Sequence, residues 1–161
     1  MKLIFLSIFF STLSFSERAR QDKDDVGSIE LVLKSLENLK KNDKDVPVEF
    51  FIINRNSFPV YLNNPACWGS SHASVKYNGV STPLAIKVRV DAACAKALVP
   101  VNANDTLKVK YNYSIDRLID LGKTGNYKVK VTYRGTLFNE KKVRLNEITL
   151  VSNEISFDVQ P

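Results

Sequence analysis

From residue 46 onward, apolar and polar positions alternate in short runs broken by turn residues. A period of two is the signature of strands with one buried face. The clearest run is 106–115, where Leu107, Val109, Tyr111, Tyr113 and Ile115 point one way and Lys108, Lys110, Asn112 and Ser114 the other. Residues 127–133 repeat it, with Tyr127, Val129, Val131 and Tyr133 opposed to Lys128, Lys130 and Thr132. Ile155, Phe157 and Val159 mark a last alternating strand. Residues 46–54 (V-P-V-E-F-F-I-I-N) are apolar on both faces, as in the central strand of a sandwich. Residues 59–62 predict a short strand, and 73–77 and 84–90 two more, separated by the turn pair Asn78-Gly79. Only 116–121 reads as a helical turn within this region.

Residues 28–39 carry two periods at once. Ile29, Leu31 and Leu33 alternate like a strand, while Ile29, Val32, Leu36 and Leu39 form a helical stripe. The β character of the following chain favours the strand.

About seven to nine short strands in roughly 115 residues predict an all-β protein, an immunoglobulin-like antiparallel β-sandwich. One local feature sharpens this. In L-G-K-T-G-N-Y-K-V, Gly125 precedes Tyr127 by two positions at the start of a strand that follows a helical turn. That is the pattern of a tyrosine corner, in which the phenol ties back to upstream backbone. The cysteine that antibody domains place two residues later is here Val129.

The first residues, M-K-L-I-F-L-S-I-F-F-S-T-L-S-F-S-E-R, change the compartment. Lys2 precedes an apolar run over 3–15, and Ser14 and Ser16 supply small residues for cleavage before Glu17. The expected organisation is a signal peptide over 1–16, a polar lead-in over 17–27 and the sandwich domain over 28–161. The apolar run is short for a bilayer span, and no later segment is apolar enough for one. The expected location is therefore outside the cytoplasm, periplasmic or extracellular.

Export gives the two cysteines their meaning. Cys67 and Cys94 are 27 positions apart, and in an oxidising compartment they are expected to form one disulfide. The chain-entropy estimate for such a loop is about 3 kcal/mol. Because the antibody-type position is Val129, this bridge is expected to pin a long connection near one end of the sandwich.

Composition (44% apolar, 25% charged) fits one ordinary domain. The net charge of +6 is uneven: residues 17–45 hold seven basic and eight acidic side chains, residues 46–161 fifteen and nine. Lys108, Lys110, Lys128 and Lys130 would form a basic ladder if their two strands paired. Such a ladder serves as a solvated face that blunts aggregation or as a docking surface for an acidic partner. Asn104-Asp105-Thr106 and Asn112-Tyr113-Ser114 match the N-glycosylation sequon, which acts only in a eukaryotic secretory pathway.

The stretch N-N-P-A-C-W-G-S-S-H, residues 63–72, gathers one cysteine, the only tryptophan and the only histidine. Zinc would need a fourth ligand and closer cysteine spacing than Cys67, His72 and Cys94 provide. A triad built on His72 with Ser70 or Ser71 lacks a nucleophile elbow. No phosphate loop or nucleotide fingerprint occurs. No catalytic residue, metal or cofactor is expected, and nucleic acid is not an expected partner outside the cytoplasm. What remains is a stapled loop in which Pro65, Trp68 and His72 are the candidate contact residues. Trp68 is either an exposed anchor or a plug over the end of the core.

The order I-I-N-R-N-S-F-P-V-Y-L-N-N-P, K-Y-N-G-V, D-T-L-K-V-K-Y-N-Y-S-I-D-R-L-I-D-L and G-N-Y-K-V-K-V-T-Y spans about half the chain. It resembles the non-catalytic β-domain of deuterolysin-type metalloendopeptidases and, more loosely, immunoglobulin-like proteinase-inhibitor modules. The His-Glu-x-x-His helix of the catalytic half of those peptidases has no counterpart among these residues. The resemblance implies a sandwich that contacts peptidases or other proteins. The expected function is a non-enzymatic protein-binding module acting through loops or a strand edge. A proteinase inhibitor or prodomain-like regulator stands second, and a structural component of a cell-envelope or secretion assembly third.

Overall fold

The computed structural model describes residues 28–85 and 89–161. The expected signal peptide and lead-in lie outside the described residues, as does part of 84–90. Among the described residues there are eleven strands and two short helices. The strands are β1 Ile29–Leu33, β2 Leu39–Lys40, β3 Glu49–Asn54, β4 Val60–Asn63, β5 Ser71–Tyr77, β6 Val80–Thr82, β7 Leu98–Val101, β8 Asp105–Lys110, β9 Gly125–Phe138, β10 Arg144–Val151 and β11 Ile155–Gln160. Helix α1, Ala92–Lys96, lies between β6 and β7, and α2, Ile115–Leu118, between β8 and β9.

The protein is an all-β sandwich of the immunoglobulin-like kind, with one disulfide. One sheet has the order β1-β3-β8, antiparallel throughout. The other is organised on β9, which is 14 residues long. The first half of β9 pairs with β11 on one side and β5 on the other. Its second half pairs with β10 and β4. β6 extends β5, β7 extends β4, and β2 adds to β11 as the single parallel pair. The inner faces supply the core: Phe50 and Ile52 from β3, Val60 and Leu62 from β4, and Val129, Val131, Tyr133 and Leu137 from β9.

Several expectations change in detail. Eleven strands replace seven to nine because β2 and β6 are only two and three residues long and β10 carries weak alternation. The strand expected over 84–90 is absent at the described positions; the hairpin partner after Asn78-Gly79 is β6, directly beyond the turn. β3 begins at Glu49, since Pro47 has no N–H to give a ladder. β8 ends at Lys110: Tyr111 N–H still donates to Val48 O, but the chain then turns, and Ile115 starts α2 rather than ending a strand. Residues 28–39 are strand where they are regular, as β1 and the first residue of β2.

The tyrosine corner is present. Tyr127 Oη lies 3.0 Å from Asp120 O and 3.1 Å from Lys123 O, and its single hydrogen serves these two upstream carbonyls. Burial holds the phenol above its ordinary pKa.

Candidate binding surface

The stapled loop is built from local turn chemistry. Asn64 Oδ1 accepts from Ala66 N–H at 3.1 Å, an Asx turn, and Cys67 O then accepts from Ser70 and Ser71 N–H. This turn presents Cys67, which is buried, to Cys94 on α1, with the Cα atoms 5.9 Å apart. α1 starts where Asp91 Oδ1 caps Cys94 N–H at 3.0 Å. Gly69 lets the two segments meet: a Cβ there would lie 2.6 Å from Ala95 Cβ. Ser70 Oγ also donates to Ala95 O at 3.2 Å. The disulfide thus joins the β4–β5 connection to the β6–β7 connection at one end of the sandwich, as expected.

Trp68 is half-buried and set among three other rings. His72 meets it edge-on at 5.2 Å between centroids, Tyr113 edge-on at 6.1 Å, and Tyr111 at 6.3 Å. Tyr111 Oη donates to Ser71 O at 2.8 Å, and Tyr113 Oη reaches Arg89 O at 3.5 Å. Burial drives the Tyr111 pKa far upward, so this phenol stays a neutral donor. His72, on β5 opposite Thr132, is exposed; partial desolvation and then the charge of Arg134 hold its pKa below the ordinary value. Val90, 63% exposed, borders the same end. Trp68 is therefore neither a free anchor nor a sealed plug: it packs against the core and stays partly exposed.

The other candidates separate. Pro65 is buried and cannot touch a partner. The lysine ladder does not form, because β8 pairs with β3 and β9 lies in the opposite sheet. Lys108 instead pairs with Glu49, which also holds Lys34; the two bonds pull the Glu49 pKa down to about 2. Lys128 and Lys76 share Glu154. Lys110 and Lys130 have no ion-pair partner among the described residues. Tyr113 and Arg134 were not among the candidates; the signal for Tyr113 was its place in the alternating run 106–115, and it reaches Trp68 from the connection after β8, while Arg134 acts on His72 from β9.

Among the described residues no three His, Cys, Asp or Glu side chains gather as a metal site, and no helix is long and apolar enough to cross a membrane. An open cavity of about 670 Å3 lies at the tyrosine-corner end, lined in part by Tyr77, Asp116, Asp120 and Tyr127.

No family model matches the chain, and no curated protein matches it. Among solved structures, the E. coli chaperone DraB is similar with a TM-score of 0.32 and 13% identity. The match covers 83% of this chain and 55% of that one, so the chain spans little more than half the length of the structure it matches.

Proposed function

We propose that this is an exported, non-enzymatic protein-binding module whose contact surface is the stapled end carrying Trp68, Tyr113 and His72. The observation that carries this reading is a tryptophan held half-exposed on three aromatic neighbours, beside a disulfide that fixes both connections. Aromatic groups fixed before contact lose little entropy on binding and are the usual hot spots of interfaces. Export rests on the disulfide together with the apolar N-terminal run of the sequence.

Affinity capture from the native exported fraction tests it. Wild-type protein is expected to retain a partner that Trp68→Ala loses by tenfold or more, and that reductant also releases. A Trp68→Ala variant that is folded and captures the same partner equally well sinks the reading. A partner that proves to be a peptidase, inhibited on binding, assigns the module to the inhibitor class.

A further inference from the structure

The strand edges of this sandwich are not equally protected. β2 and β6 are too short to template a partner, β7 contains Pro100, and β8 carries Lys108 and Lys110. β1 and β10 carry neither proline nor lysine, and they face each other across the seam between the two sheets. The hydrogen-bond parity shows what each presents there. Ser28 O and Lys34 N–H bond towards β3, so the backbone groups of Ile29, Leu31 and Leu33 point into the seam. Ser152 N–H donates to Val131 O on β9, so those of Thr149 and Val151 point into it from the other side.

One of these positions is already occupied. Leu33 N–H donates to Asn153 Oδ1 at 2.8 Å, and Leu33 O accepts from Asn153 Nδ2 at 3.1 Å. A single side-chain amide thereby imitates a neighbouring strand and ties the sheets together at one end. Beyond it the seam is a cleft of about 370 Å3, lined by residues 29–32 of β1, Glu30 included, and by Thr149, Leu150 and Val151 of β10. Val32 and Val151 are exposed at its lips. The charge beside it is positive: Glu30 is taken by Arg55 and Glu147 by Arg144, while Lys34 and Lys108 divide one Glu49. Arg134, opposite Thr149 on β9, has no carboxylate partner among the described residues.

We propose that this seam accepts an extended strand of a partner protein, apolar at alternate positions and acidic between them, and that Asn153 latches it until the strand enters. The inward residues of such a strand meet Ile29, Leu31 and Leu150; its outward carboxylates meet the excess positive charge around Arg134. Main-chain bonds to these unpaired backbone groups supply affinity, and the alternation supplies selectivity. This surface adjoins the Trp68 end through Arg134, which also acts on His72, but Trp68 itself lies outside it.

The probe is a capped decapeptide of alternating valine and aspartate, followed by amide NMR shifts and its dissociation constant. Shifts are expected at Leu31, Thr149 and Val151. Asn153→Ala, which removes the two latch bonds, is expected to bind about tenfold more tightly. Asn153→Asp, which keeps the acceptor but loses the donor, is expected to fall between, and serves if the alanine variant does not fold. Arg134→Gln is expected to weaken binding severalfold, and Trp68→Ala to leave it unchanged. Equal binding of a valine–lysine peptide, or of one N-methylated at alternate residues, overturns the proposal. So does the absence of binding to wild type and to a folded latch variant alike. Self-association of Asn153→Ala without peptide, with protection at Leu31, overturns the assignment to a partner and gives the seam to a second copy.

Discussion

Asn54 is fully buried and holds two connections at once. Its Nδ2 donates towards Phe58 O, Val101 O and Asn102 O at 2.9–3.2 Å, and its Oδ1 accepts from both nitrogens of Asn56. Asn54→Ala strands several of these groups away from water and is expected to cost about 3 kcal/mol, measured by urea denaturation. N-R-N reads only as a local turn, which accounts for the bond to Phe58 O; the other two carbonyls that Asn54 serves come from a segment nearly fifty residues later. Tyr127 differs, because its partners lie four and seven residues upstream and the Gly-x-Tyr spacing was enough to expect the corner. Tyr127→Phe is expected to lose about 1 kcal/mol with the fold intact. His72 gives a pH signal at the same scale. Its depressed pKa means that the unfolded chain binds the proton more readily. The related stability is present above the ordinary value of 6.5 and is lost as pH falls through the lower folded value. The His72 ring protons are expected to titrate with a midpoint below 6.5, and Arg134→Gln is expected to raise it.

At the scale of elements, glycine separates what the sequence discloses from what it hides. Asn78 and Gly79 have φ of 48° and 82°, the mirror-image turn that their dipeptide predicts. Gly79 has open space around it, so Gly79→Ala is expected to cost only the backbone term, about 1 kcal/mol. Gly135 sits within β9, and a Cβ there would lie 2.6 Å from Tyr133 Cζ and still closer to its hydroxyl. Tyr133 is fully buried, with its Oη donating to Asn63 O at 3.1 Å, so it cannot swing aside. Gly135→Ala is expected to destabilise by about 2 kcal/mol, as read from thermal unfolding. The alternation reported β9 only as far as Tyr133, because Gly135 interrupts the apolar face there. α1 was missed for another reason: its five residues are too few for a period, although Asp91 followed by alanines was a usable capping signal. The Trp68 cluster was legible as a stapled loop but not as an aromatic group, since Tyr111 and Tyr113 join it from the distant connection between β8 and α2.

Across the whole molecule, charge and covalent links are concentrated where the sheets meet solvent. Glu49 holds Lys34 and Lys108 at 2.8 and 2.9 Å, and its pKa falls from 4.5 to about 2. Its contribution is full above 4.5 and is lost as pH falls towards 2. Glu49→Gln is therefore expected to flatten the acid limb of the stability curve over that window and to matter less at high salt. Reduction of Cys67–Cys94 is expected to lower the melting temperature by about 10 °C, from the loop-entropy estimate of about 3 kcal/mol.

The long spine strand has a consequence for the order of events. β4 and β5 are made early, yet both take their pairing from β9, whose residues 125–138 come more than sixty positions after β4 ends. Until the spine arrives, β4 has only β7 to pair with and β5 only β6, and the two hairpins stay unjoined. Closure of the larger sheet waits for the final third of the polypeptide, and refolding belongs to the slow, high contact-order regime of milliseconds to seconds. Holding apolar strands open for that interval is the task this topology sets for whatever receives the nascent protein.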